Sequence, residues 1–247
     1  MGQKTKQKDE KRIEEAVQEK KYRHELKYIC SATQIAVLKS RVQSVLPMDV
    51  NVGEKGFYNI RSLYFDDYEN SGFWDKEDGV NLREKYRIRV YDYSLERISL
   101  EVKEKRGNLI HKESCQLSRE QYVSLREGKE NQMEVSGDNA PLLNRFLVTG
   151  KQAVMVPKVI VEYERIPFIY HVGNVRITFD ENIASIPTEY LLEDERAPKR
   201  MILPGGQQLL EVKFDEFLPD YIYRILQLEN MRQTAFSKYC LCRKFAV

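Results

Sequence analysis

The chain has 247 residues, with 40 Lys and Arg against 38 Asp and Glu, for a net charge of +2. It is therefore no general polyanion-coating protein, and a basic site has to come from local concentration of charge. The apolar fraction of 42% suffices for a core, and neither a membrane-length apolar run nor a signal-peptide apolar region occurs. A soluble, cytoplasmic protein is expected, built as one large β-rich domain or two small ones. Cys30, Cys115, Cys240 and Cys242 show no paired framework and no CxxC zinc spacing, and free thiols are expected.

In chain order, residues 1–20 are polar and lack a sustained apolar stripe, which predicts a charged helical extension to the domain formed by residues 21–247. A strand over 22–29 alternates Tyr22, His24, Leu26 and Tyr28 with Arg23, Glu25 and Lys27. Ser31 with Gln34 is a capping-box signal for a helix carrying Ile35, Leu38, Val42 and Val45, stopped by Pro47. Residues 57–66 are β in composition, and 67–79 read as a loop or short helical excursion. Strands over 82–91, 98–105 and 109–117 form a meander, and Ser118 with Gln121 caps a second helix that ends near Gly128. A helix is predicted over 138–150, then a strand over 158–170 broken at Pro167, and another over 175–180. The remainder reads as a loop over 187–206, a strand over 209–214, a helix over 219–231 and a last strand within 234–245.

The organising feature is a series of charged strand faces. Over 82–91, Tyr86, Ile88 and Val90 share one face, while Arg83, Lys85, Arg87 and Arg89 share the other with no acid among them. Glu101, Lys103 and Lys105 repeat the arrangement, and Arg23, Glu25, Lys27, Arg61, Tyr163, Arg165, Arg176, Glu211, Lys213 and Lys238 extend it. If these faces converge, the interior is not dry, because each buried unpaired charge costs several kcal/mol. A water-filled tunnel for a polyphosphate-like anion resolves the problem. Arginine forks grip phosphate oxygens, lysines add point charge, and the few carboxylates can hold Mg²⁺ or Mn²⁺. The expected fold is α+β, an antiparallel β-barrel tunnel of about eight strands with flanking helices.

HELKY (24–28), IRSLYFD (60–66), KYRIRVY (85–91), LEVKEK (100–105), YER (163–165), VRITFD (175–180), LEVKF (210–214) and SKY (237–239) stand in one order along the chain. Together they resemble the VTC domain, the catalytic domain of vacuolar transporter chaperone polyphosphate polymerases, within the triphosphate tunnel metalloenzyme (CYTH-like) superfamily. The resemblance covers roughly residues 20–245. It implies metal-dependent transfer of the ATP γ-phosphate to a polyphosphate chain, with Mn²⁺ or Mg²⁺ as cofactor. By the same resemblance Arg87, Arg89, Lys103, Arg165 and Lys238 are catalytic phosphate ligands, and Lys27 and Arg176 further phosphate ligands. Tyr163 and Ser237 would be neutral phosphate contacts. Arg61, Lys85 and Lys213, from the charged faces, join them as phosphate-binding candidates. Glu211 falls at the family's metal-binding glutamate, with Glu101 and Glu25 as possible helpers. Arg23 occupies the first Glu position of the superfamily's ExExK signature, which favours the VTC branch over the cyclase and thiamine-triphosphatase branches. Neither an SPX domain nor the membrane helices of the fungal proteins is present, so the resemblance implies a stand-alone version.

Water in place of the phosphate acceptor would make the same site a triphosphatase or polyphosphatase, and loss of turnover would leave a polyanion-binding module. No GxxxxGK[ST] motif occurs. His24, His111 and His171 lack metal-ligand spacing, Asp66-Asp67 reads as a strand-end turn, and most of the 15 tyrosines read as core rather than nucleic-acid stacking platforms.

Overall fold

The computed structural model describes residues 20–129, 133, 135, 137 and 140–245. The predicted N-terminal extension lies outside the described residues except for Lys20. Nine strands are described: β1 (Arg23–Ser31), β2 (Tyr58–Asp66), β3 (Leu82–Tyr91), β4 (Ser94–Arg106), β5 (Leu109–Leu117), β6 (Val156–Tyr170), β7 (Val175–Ile186), β8 (Arg200–Met201) and β9 (Gln207–Phe214). The helices are α1 (Ala32–Gln43), α2 (Ser71–Glu77), α3 (Arg119–Glu127), α4 (Ala140–Ala153), α5 (Asp220–Ile225) and α6 (Lys238–Phe245).

All pairings are antiparallel, in the order β6-β2-β3-β4-β5-β1-β9-β7-β8, and β7 also pairs with β6. Eight strands thus form a closed circuit, with β8 attached at its rim. The narrowest seam is β1 with β5, which pair only at Arg23↔Ile110 and His24↔Leu109. The two-residue turn between β3 and β4 places Asp92 and Tyr93 at φ 47° and 60°, the twist a hairpin needs but one Tyr adopts at a cost. Neighbours hold it there: Asp92 accepts from the Asn59 backbone N–H (2.8 Å) and the Tyr93 ring lies 4.6 Å from the Arg61 guanidinium.

Two apolar clusters lie outside the ring. Tyr122, Leu125, Leu143 and Phe146 of α3 and α4 cover Phe65, Tyr86, Ile88 and Leu100. Ile35, Leu38 and Val42 of α1 cover Ile177, Phe179, Leu210 and Val212. Both predicted capping boxes are formed, at Ser31 with Gln34 and at Ser118 with Gln121, and Gly128 ends α3 at φ 68°. The third cluster lies inside. Ile60, Tyr64, Val159, Val161, Tyr163 and Ile183 of the inner faces pack against Tyr239, Cys240 and Cys242 of α6.

That last element departs from the sequence reading, which placed a strand within 234–245. Thr234 still donates to the Lys27 carbonyl in an extended segment (2.8 Å), but Ser237 then caps a helix by accepting from the Cys240 backbone N–H (3.3 Å). Pro167 does not break β6. Its carbonyl accepts from Asp49 N–H on the side facing away from β7, so the missing N–H removes no ladder bond. The helix predicted over 219–231 shortens to α5, and the carbonyls of Ile225 at its end and Gln227 beyond it accept from Arg41 instead.

Candidate functional site: a cationic tunnel

The ring encloses a cavity of about 830 Å³. Period two decides what reaches it: Lys85, Arg87 and Arg89 of β3 point in, while Tyr86, Ile88 and Val90 point out to the helices. Lys103 enters from β4, Glu25 and Lys27 from β1, Tyr163 and Arg165 from β6, Arg176 from β7, and Glu211 and Lys213 from β9. Helix α6, seated against the inner face, adds Ser237 and Lys238 at its start.

Three carboxylates organise one side. Glu211 lies 2.7 Å from Lys238, 3.0 Å from Lys213, 3.3 Å from Arg165 and 3.7 Å from Lys27. Glu25 lies 2.8 Å from Lys103, 3.2 Å from Lys27 and 3.6 Å from Lys213. Asp180, fully buried, accepts both arms of the Arg165 fork at 2.7 Å and lies 2.6 Å from Lys238. Five cations therefore face three acids. Burial alone would push these carboxyls up, yet the cations hold all three below the usual carboxylate range, with Lys213 and Lys238 leading at Glu211 and Arg165 leading at Asp180.

On the opposite wall one carboxylate serves three cations. Glu101 accepts from Arg87 (2.6 Å) and Lys112 (3.0 Å) and lies 3.6 Å from Arg89. Tyrosine hydroxyls complete the orientation: Tyr64 accepts from Arg87 (2.7 Å), Tyr163 from Arg89 (3.3 Å) and Tyr58 from Arg176 (2.8 Å). Arg87, Arg89, Arg165 and Arg176 are thus held in place before any anion arrives.

Two candidates sit elsewhere. Arg61 does not reach the cavity; on β2 it shares the outward phase of Leu63 and Phe65, pairs with Glu162, and donates to the carbonyls of Leu191, Leu192 and Asp194. Reading its charge as a tunnel face failed because Tyr58, Ile60, Ser62 and Tyr64 hold the inward phase of that strand. Glu101 lies behind the arginines it orients and does not line the cavity. Sequence reasoning missed Asp180, Lys112 and the inward tyrosines Tyr58, Tyr64 and Tyr91. Asp180 stood in a recognisable motif, with Arg176 two strand repeats before it as the signal of phase. Asp66 is structural, as read: it accepts from the backbone N–H groups of Gly72 and Phe73 at the start of α2 and from Tyr239.

Lys103 is one of the cavity lysines whose pKa burial lowers, with Lys85 and Lys213. Burial pulls its pKa down to about 7, against the pull of Glu25 and with the push of Lys27 and Lys213. A bound polyanion restores the charge, so above about pH 7 binding takes up a proton and affinity falls as pH rises. Calorimetry of triphosphate binding with EDTA present, in buffers of different ionisation enthalpy near about pH 8, should show this uptake. Lys103→Arg, permanently charged, should bind with less uptake and a flatter pH profile; an unchanged uptake would assign the proton to another group.

The VTC domain family model matches residues 22–247, and the chain belongs to this family. No curated protein sequence matches it. Among solved structures, a Hippeastrum protein described as a candidate adenylyl cyclase with a dominant triphosphatase activity aligns at TM-score 0.52 and 12% identity, covering 92% of this chain and 97% of its own. A candidate adenylate cyclase from Bacillus halodurans aligns at TM-score 0.48 and 15% identity over 84% and 87%. A Mimivirus capping-enzyme triphosphatase aligns at 0.39 and 10% over 92% and 99%. The Hippeastrum likeness establishes a shared tunnel fold. Among the described residues no helix is long and apolar enough to cross a membrane.

The family implies a divalent metal. Among the described residues no three His, Cys, Asp or Glu side chains are grouped as a cage. Mg²⁺ and Mn²⁺ on phosphate substrates require less, namely one or two carboxylates with phosphate oxygens and water completing the shell. Glu211 with Glu25 meets that requirement, since both line the cavity and share Lys27 and Lys213 as neighbours. Arg23 pairs with Asp215 (3.0 Å) and adds no donor.

Proposed function

We propose that this chain is a polyphosphate polymerase, transferring the ATP γ-phosphate to a polyphosphate chain inside the tunnel. The observation that carries the reading is the cavity of about 830 Å³, walled by Arg87, Arg89, Lys103, Arg165 and Lys238. Phosphoryl transfer needs positioning and charge neutralisation more than covalent chemistry. Arg87 and Arg89 present preoriented forks to equatorial phosphate oxygens, and Lys238 and Arg165 gather charge toward Glu211. No protein nucleophile is required, because a terminal oxygen of the acceptor phosphate attacks the γ-phosphorus and ADP leaves. A metal held by Glu211 with Glu25 would neutralise charge on the transferring group.

A second reading places water at the acceptor position and makes the protein a triphosphatase. The activity ascribed to the Hippeastrum protein of the same fold favours it. Incubation with ATP and Mn²⁺ followed by ³¹P NMR separates the two. A bridging-phosphate signal growing with ADP supports the polymerase, and orthophosphate alone supports the hydrolase. Unchanged ATP beside intact triphosphate binding would overturn both and leave a binding module.

A further inference from the structure

Lys85 and Cys240 make a contact that phosphate handling does not use. The Lys85 Nζ lies 3.1 Å from the Cys240 Sγ and 3.3 Å from the Ser237 Oγ, and that hydroxyl is 3.2 Å from the same sulfur. The partners are 155 residues apart, so the contact joins the β3 wall to the helix seated inside the ring. A cation and a hydroxyl beside sulfur are surroundings in which cysteine reacts. The other thiols differ. Cys30 and Cys242 donate to the carbonyls of Tyr28 and Ala184. Burial pushes Cys30 and Cys115 up to about 11 and Cys242 up to about 12. Although Cys240 is buried, Lys85 and Ser237 both line the cavity, which gives a small oxidant a route to the sulfur.

We propose that hydrogen peroxide converts this pair into a covalent Cys240–Lys85 sulfenamide, a reversible modification inside the tunnel. The chemistry balances in two steps. The sulfur attacks one peroxide oxygen, the O–O bond breaks, and sulfenic acid and one water form. The Lys85 amine then attacks sulfur, the S–O bond breaks, and the departing hydroxide takes one proton from nitrogen as a second water. Sulfur is oxidised by two electrons and peroxide is reduced. Sulfenic acids condense with nitrogen in this manner, and the 3.1 Å separation is an attack distance. Burial lowers the Lys85 pKa, which favours the free amine the second step needs.

The link removes an ammonium from the cavity and ties α6 to β3. Its effect on phosphate binding rests on the tunnel reading above; its formation does not. The test treats the full chain with hydrogen peroxide and digests it for mass spectrometry. A Lys85–Cys240 peptide pair lacking two hydrogens and released by dithiothreitol is expected, absent in Cys240→Ser and in Lys85→Arg. Inorganic triphosphate should bind about tenfold more weakly to the treated wild type, the loss of one charge-assisted contact, and with unchanged affinity to treated Cys240→Ser. Cys240 remaining a thiol, or oxidising without joining Lys85, would overturn the proposal, and a link retaining oxygen would overturn the sulfur–nitrogen bond. If the link forms but the reduced protein does not bind triphosphate, the modification stands and the tunnel reading fails.

Discussion

Glu211→Gln is expected to lower turnover of ATP by at least about 10²-fold, the scale set by losing one preorganised electrostatic group, while triphosphate binding survives. Glu211 is the carboxylate on which Lys238, Lys213, Arg165 and Lys27 converge. The amide keeps the shape of the side chain but can neither hold a divalent cation as a charged donor nor balance four neighbours. In the empty protein this leaves uncompensated buried cations, a loss of roughly 3–5 kcal/mol. A bound polyanion replaces part of the missing charge. Triphosphate should therefore raise the Tm of Glu211→Gln more than that of the wild type. The wild-type carboxyl has a depressed folded pKa, so its contribution is present above the ordinary carboxylate range and is lost as pH falls through the folded value. The variant should accordingly show a weaker loss of stability on acidification. Normal turnover in the variant would show that Glu211 neither holds the metal nor sets the charge of the reacting centre.

The fold was legible wherever a strand had one apolar and one charged face. In β3 the alternation is unbroken, so the phase of Lys85, Arg87 and Arg89 could be read directly and the structure places all three in the cavity. β2 defeats the same rule because both of its faces are buried, one under the helices and one against α6. With apolar residues on both sides, a single Arg61 carries no phase information, and its charge is spent on Glu162 and loop carbonyls. The tyrosines mislead for a related reason. A Tyr on an apolar face looks like core, yet Tyr58 and Tyr64 place their rings in the inner cluster and their hydroxyls on cavity arginines. Helix α6 was hidden because a short segment around Tyr239, Cys240 and Cys242 has no period to measure. Only the tertiary site, a groove inside the ring, selects a helix there.

Asp180→Asn separates positioning from charge. Asp180 is fully buried and does not line the cavity; it grips Arg165 with two parallel bonds of 2.7 Å and Lys238 at 2.6 Å. An amide offers one acceptor oxygen where the guanidinium fork requires two, and its NH₂ faces a cation. Stability should fall by roughly 3–5 kcal/mol, as for a buried pair broken from one side. The decisive quantity is the sign of the affinity change. The substitution adds one net positive charge beside the tunnel, so if Asp180 only tempers the field, triphosphate should bind more tightly. If Asp180 aims Arg165 and Lys238, their loss of orientation outweighs the added charge. Affinity then falls about tenfold, the equivalent of one charged contact, and turnover falls further because Lys238 no longer meets Glu211 in register. The weakening is the expected result, measured by calorimetry at a temperature well below the variant's Tm. Tighter binding with turnover intact would assign Asp180 to charge balance alone.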